Sequence, residues 1–250
     1  MAALEGVGIG LRKAHYDAVL ATKRRIDWLE IISENFMGLE GRPREVLHRC
    51  RERWPIVPHG VALSLGSEVR PAYVAGLAEL VRSIEPPFLS DHLCFSSAAG
   101  VETFDLLPLP RNDEVVAHVR GGAAAVTRAL GVPLYLEGIA YYAEMPGTTL
   151  PEPAFLRRVL EGSGLKLLLD VNNLYVNATN HGFDPFAWLA ELPRGCVGQI
   201  HLAGHRREGP RLLDTHDGPV AVLIEWDARI PDLDVVLDEA DKARRILEAR

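Results

Sequence analysis

The chain is poor in cysteine, in basic clusters and in long apolar runs, and each shortage argues against a class of protein. Its three cysteines, Cys50, Cys94 and Cys196, are widely spaced and odd in number. That pattern speaks against a disulfide scaffold and fits a reducing cytoplasm, and without a CxxC pair a cysteine-type zinc site is not expected. No apolar stretch approaches the roughly 18 residues that a membrane span needs. The opening MAALEGVGIGLRKAH lacks the basic start, apolar stretch and cleavage site of a signal peptide. Lysine and arginine number 27 against 34 acidic residues, giving a net charge of −7. With no Lys/Arg-rich run, a nucleic-acid surface is not indicated. The expectation is a cytoplasmic protein with neither membrane nor nucleic-acid partners.

The 250 residues are 48% hydrophobic, enough for an α/β barrel as a single domain over 1–250. Eight short apolar runs, at 7–11, 28–32, 56–64, 88–95, 133–137, 166–171, 197–202 and 221–226, are each bounded by Gly, Pro, Asn or Asp, as buried strands are. Between them, helical periodicity predicts helices over 44–54, 72–84, 113–130, 153–161, 185–192 and 233–249. Asn112-Asp113-Glu114 and Asp184-Pro185 are start signals, and Gly131 is a stop. Strands alternating with helices indicate a parallel sheet, and eight is the count of a (β/α)8 barrel. A doubly wound open sheet is the alternative, but GVGIG lacks the spacing of a dinucleotide fingerprint and reads instead as close packing of the first strand. The joint GHRREGPRLLDTHDGPV between strands seven and eight holds two prolines, three glycines and no helical stripe. A crossover of that length must run partly extended, so the helix between strands seven and eight is expected to be missing.

Polar residues fall at matching places. Six of the eight runs end in, or carry near their C-terminal half, a side chain able to bind metal: His59, His92, Glu137, Asp170, His201 and Glu225. Strand C-terminal ends converge on one face of a barrel, where active sites are built. Singly, such a histidine reads as a satisfied core residue and such an acid as a helix cap or ion-pair partner. Six together, costly to bury apart, make sense as ligands of cations that offset the repulsion between carboxylates. Asp214 and His216, in the joint after strand seven, add a second pair, with a solvated turn as the competing reading. Eight nitrogen and oxygen donors exceed the three of a two-His-one-carboxylate site and imply two or three ions, with Fe, Mn or Zn suiting the set.

Other residues carry weaker signals. Glu30 and Glu34 flank the end of strand two and either reach the pocket mouth or form strand-end salt bridges. Asn172 and Asn173 either position a ligand or form a turn. His181 and His205 are candidates for supporting contacts or for the surface. His15, His48 and His118 sit in helical patterns, and Cys94 is expected inside strand four as a small buried hydrophobe. No nucleophile elbow, P-loop or supported Ser-His-Asp order is present.

The stretches GIGLR, WLEI with SEN, PHGVALSLGS, SDHLCFS, LLLDVNNLYVNATNHGFDP, QIHLAGH, DTHD and LIEWD with IP together resemble the multinuclear non-haem iron-dependent oxidative enzymes, the group that includes the methanobactin biosynthesis oxidase. The resemblance runs in order along nearly the whole chain. It implies a TIM-like barrel of xylose isomerase type and two or three iron ions in mixed Fe2+/Fe3+ states. It also implies O2 as co-substrate and oxidative modification of cysteines in a ribosomally made precursor peptide, with a separate protein recognising the peptide leader. The family's ligand positions fall on His59, His92, Glu137, Asp170, His201, Asp214, His216 and Glu225, with Asp214 and His216 also assigned a catalytic role. Two features depart from the pattern. Gly138 stands where the family usually has Asn, removing a polar contact near Glu137. The joint is short, with eight residues between His216 and Glu225. The competing functions are a divalent-metal hydrolase or isomerase acting on phosphodiesters or sugars, and a non-catalytic barrel that serves as a binding module.

Overall fold

The computed structural model describes residues 4–98, 101–208, 211–214, 223–227 and 229–249, with side chains at 98, 102, 205–208 and 211–214 excepted. Its barrel strands are β1 (Gly8–Gly10), β2 (Trp28–Ile32), β3 (Ile56–Gly60) and β4 (Leu89–His92). A hairpin of β5 (Phe95–Ala98) and β6 (Val101–Leu107) follows, then barrel strands β7 (Leu134–Glu137), β8 (Lys166–Asp170) and β9 (Val197–Leu202). A second hairpin, β10 (His205–Glu208) with β11 (Arg211–Asp214), precedes the last barrel strand, β12 (Leu223–Ile224). The parallel sheet closes in the order β1, β2, β3, β4, β7, β8, β9, β12 and back to β1. Each of the eight expected apolar runs holds one of these strands.

The helices are α1 (Tyr16–Ala21), α2 (Arg42–Arg51), α3 (Pro71–Ile84), α4 (Asp113–Leu130), α5 (Glu152–Leu160), α6 (Val171–His181), α7 (Pro185–Ala190) and α8 (Leu233–Glu248). Start and stop signals act as read: the Asn112 side chain accepts the Val115 N–H at 3.0 Å, Gly131 closes α4 at φ 71°, and Asp184 accepts the Phe186 N–H at 2.9 Å. The period-two pattern of the strands divides the core. Leu29, Ile31, Ile9 and Ile224 point outward to α1, α2 and α8, while Leu89, Leu134, Leu136 and Leu167 pack under the helices on the opposite side. Alternate residues point inward, where Trp28, Val57, Phe88 and Leu223 cluster with Tyr135 and plug the end of the barrel at which the strands begin. Phe88 and Tyr135 stack there with centroids 4.1 Å apart.

Three expectations need correcting, and the expected lack of a helix after β9 holds among the described residues. The run 88–95 is not one strand: the chain bends at Leu93-Cys94, so Cys94 lies between β4 and β5, although it is fully buried as expected. Helices α1 and α6 and the β5–β6 hairpin have no counterpart in the periodicity. Asn172 and Asn173 lie in the first turn of α6 rather than in a loop. Among the described residues of the joint after β9 no helix occurs; the antiparallel β10–β11 hairpin stands in its place, pairing His205 with Asp214.

Gly8 of GVGIG serves the inner packing, as does Gly198 on β9. A Cβ on Gly8 would lie 2.4 Å from the Trp28 ring, and one on Gly198 would lie 2.6 Å from the Tyr135 ring. The Trp28 ring is 2% exposed and enclosed by the plug. Gly8→Ala is therefore expected to cost about 1–3 kcal/mol, read as a lower midpoint in urea unfolding; an unchanged midpoint would show that the plug is loose.

Candidate metal centre

Each inward-facing plug residue is followed along its strand by a polar one. Two residues beyond Val57 comes His59, beyond Tyr135 comes Glu137, and beyond Leu223 comes Glu225; Leu168 leads likewise to Asp170 and Gln199 to His201. Strand pairing sets them side by side, with His92 in register with Glu137 and Asp170 in register with His201. All six candidates are buried, none more than 7% exposed. Six of the eight residues expected to share one pocket do share it. Asp214 ends β11, which packs near α6, and its side chain is not among those described; His216 lies outside the described residues.

Glu137 is the hub. Its Oε2 lies 3.4 Å from His59 Nε2, 3.6 Å from His92 Nε2 and 3.7 Å from His201 Nδ1. His201 Nδ1 is also 3.1 Å from Glu225 Oε2. Three groups of donors converge within 4.8 Å: His59, His92 and Glu137; Glu137, Asp170 and His201; and Glu30, His201 and Glu225. Glu137 belongs to two of them and so does His201, as expected of adjacent ion positions bridged by a carboxylate. Hard oxygen and imidazole nitrogen donors without thiolate form a set that fits Fe, Mn or Zn.

The outer nitrogens of the imidazoles are already engaged. His92 Nδ1–H donates to the Gly60 carbonyl at 3.0 Å, and His59 Nδ1 pairs with the Ser90 hydroxyl at 2.9 Å. His201 Nε2–H donates to Glu30 Oε2 at 3.0 Å, and that oxygen also accepts from the Gln199 amide at 2.6 Å. Fixing the far nitrogen leaves the near one facing Glu137, the arrangement by which surrounding groups orient metal-binding histidines. Burial holds His59 well below its ordinary pKa, reinforced by His92 and His201. His201 goes the other way: burial opposes its charge, but Glu30 and Glu225 at its two nitrogens outweigh burial and raise it.

Carboxylates are positioned with equal care. Asp170 Oδ1 caps α6 by accepting the Asn173 N–H at 2.6 Å, so this side chain is both a helix cap and a member of the cluster. Asn173 Nδ2 donates to Glu137 Oε1 at 3.2 Å and to the Gly138 carbonyl at 3.1 Å, supplying from α6 a polar contact to Glu137. Buried Arg12 reaches Glu225 at 3.5 Å and Asp227 at 2.5 Å.

Two residues were undervalued by the sequence reading. Glu30 does not sit at the end of β2 but in its middle, facing inward and 1% exposed. Its place on the same face as Trp28 was the available signal. Among the described residues Glu34 forms no strand-end salt bridge; it accepts from the Val61 and Ala62 amides at 2.9 and 3.0 Å and from the Tyr73 hydroxyl, bracing the chain after β3. Of the remaining histidines, His15 is buried with Nε2–H donating to Pro231 O at 2.7 Å, His48 and His118 are exposed, and His181 stacks on Tyr141. Burial raises the pKa of all three cysteine thiols, Cys50 to about 11, so none is a ready nucleophile.

Residues 6–221 match the family described as RiPP precursor modification enzyme MbnB/TglH/ChrH. The chain is 42% identical to a UPF0276 protein of Anaeromyxobacter sp. (strain Fw109-5), over 97% of this chain and 93% of that one. It is also 42% identical to a UPF0276 protein of Caulobacter vibrioides (strain NA1000 / CB15N), over 96% and 93%. Among solved structures, the 3-keto-D-glucoside 4-epimerase of E. coli aligns with TM-score 0.55 and 16% identity, covering 97% of each chain. A sugar phosphate isomerase/epimerase from Parabacteroides distasonis ATCC 8503 aligns with TM-score 0.54 and 12% identity, covering 100% and 98%. At such identities the likeness concerns the fold alone, a xylose isomerase-like TIM barrel. No helix among the described residues is long and apolar enough to cross a membrane.

If Glu30 orients His201, Glu30→Gln is expected to weaken retention of added ferrous iron about 10–100-fold, measured by anaerobic equilibrium dialysis. Unaltered retention would reduce Glu30 to a packing role.

Proposed function

The chain belongs to the family of RiPP precursor modification enzymes MbnB/TglH/ChrH, and from that premise we propose that it is a multinuclear iron- and O2-dependent oxidase acting on cysteine residues of a ribosomally made precursor peptide. The observation that carries the reading is the sharing of Glu137 and His201 between neighbouring donor groups. A single ion would need only one such group. His59, His92 and Glu137 would hold one iron, and Glu137, Asp170 and His201, with Glu225 beside them, a second. Asp214 and His216 are proposed as further ligands with a catalytic role, on the strength of the DTHD motif that follows β9 in the sequence. When bound, the irons would supply O2 activation and a site for the cysteine thiolate of the substrate.

The chain's own residues would do the rest. Glu30, Gly60 and Ser90 hold the three imidazoles with their metal-facing nitrogens turned inward. Asn173 holds Glu137 through the oxygen that faces away from the imidazoles. The plug of Trp28, Val57, Phe88 and Leu223 closes the barrel beneath the cluster, so substrate and O2 approach from the strand C-terminal side. The peptide leader is proposed to be recognised by a separate partner protein.

Protein purified anaerobically from iron-replete cells is expected to carry at least two iron ions per chain. It should consume O2 when given a cysteine-bearing precursor peptide encoded beside its gene. Near-zero iron, stoichiometric zinc alone, or turnover that persists without O2 would overturn the reading; the last result would favour a divalent-metal hydrolase or isomerase.

A further inference from the structure

A second cavity, of about 370 Å³, lies at the barrel rim, within the size range of about 300–1,000 Å³ typical of ligand pockets. Its residues come from chain segments that lie between a strand's C-terminal end and the helix that descends from it, which puts it on the same side of the barrel as the metal candidates. Tyr141 and Glu144 follow β7, Glu152 opens α5, His181 closes α6 and Trp188 is on α7. Smaller voids beside Gly138 are also lined by Glu152, and one of them reaches Asp170 and Asn173.

The wall is aromatic and its charge is negative. Tyr141 and His181 stack with centroids 4.5 Å apart, and the Trp188 indole N–H donates to Glu152 Oε2 at 3.1 Å. Arg111 is the one arginine or lysine among the lining residues, and its guanidinium is committed to both oxygens of Glu144 at 2.6 and 2.7 Å. Asp184 and Glu191 also line the cavity. Glu152 has the indole hydrogen bond and the attraction of Arg111, but that guanidinium is paired with Glu144 and lies 5.3 Å over the Tyr141 ring, so the four acids of the lining share one arginine. Burial pushes its carboxyl up to about 7, with Arg111 and the Trp188 bond only partly offsetting the effect. A bound positive group would relieve that cost, and planar cations are favoured against aromatic faces.

We propose that this rim pocket binds a cationic side chain of the substrate peptide, a guanidinium or ammonium that pairs with Glu152 against the Tyr141, His181 and Trp188 wall. The pocket would anchor the peptide beside the metal cluster while a cysteine enters the barrel. Only the identification of the ligand as a peptide rests on the function proposed above; the preference for a cation rests on the pocket itself.

The test is calorimetric titration of the full chain with Nα-acetyl-arginine amide and with its neutral isostere Nα-acetyl-citrulline amide. The arginine probe is expected to bind at least tenfold tighter, and Glu152→Gln, which keeps an oxygen for the Trp188 N–H, is expected to abolish that preference without changing iron content. Equal binding of the two probes, no binding of either, or a preference that survives Glu152→Gln would overturn the proposal. Iron content measured on the same preparations separates the two readings. Discrimination without iron sustains the cation pocket and sinks the oxidase, whereas iron without discrimination sinks the pocket alone.

Discussion

One buried carboxylate oxygen among three imidazoles organises this molecule. Glu137 Oε2 lies within 3.7 Å of nitrogens of His59, His92 and His201, in a barrel interior where its residue is 1% exposed. Removing a carboxylate from water costs several kcal/mol unless opposite charge compensates it. His201 offers some compensation in the protein alone, since Glu30 and Glu225 favour its protonated form. Divalent or trivalent ions would compensate far more completely, because each serves several donors at once.

The barrel makes the cluster reproducible. Inward positions beyond the apolar plug carry the donors, two residues on from Val57, Tyr135 and Leu223 and four on from Phe88, and the plug's large rings pack where Gly8 and Gly198 lack a Cβ. Surrounding contacts then set the rotation of each donor. Gly60 O, Ser90 Oγ, Glu30 and Asn173 each engage an atom on the side away from the hub. Helix α6 contributes twice, since its N-terminus is capped by Asp170 and its first turn delivers Asn173 to Glu137.

The eight strands were legible as short apolar runs bounded by Gly, Pro, Asn or Asp, the form taken by strands buried on both faces, and the six buried donors were legible from their places at or near the C-terminal ends of those runs. Glu30 was harder to see. It interrupts the apolar run of β2 rather than ending it, so a search confined to strand ends passes over it. Helix α6 was hidden by its composition: Asn172, Asn173 and Asn177 occupy its buried side, with Asn173 and Asn177 held by hydrogen bonds, so the usual apolar stripe is diluted. Helix α1 is too short, at six residues, to build a periodic pattern. The lack of a helix among the described residues after β9 could be read from prolines and glycines, but the hairpin there could not, because its strands are only four residues long.

Thermal unfolding of the metal-free protein, with and without added ferrous iron under anaerobic conditions, bears most directly on whether cations hold the cluster together. Ligand that binds only the folded state raises its stability. Iron should therefore raise the unfolding midpoint of the wild type by several degrees and leave Glu137→Gln unmoved. A wild-type midpoint indifferent to iron, or an equal rise in Glu137→Gln, would contradict the central role given to Glu137.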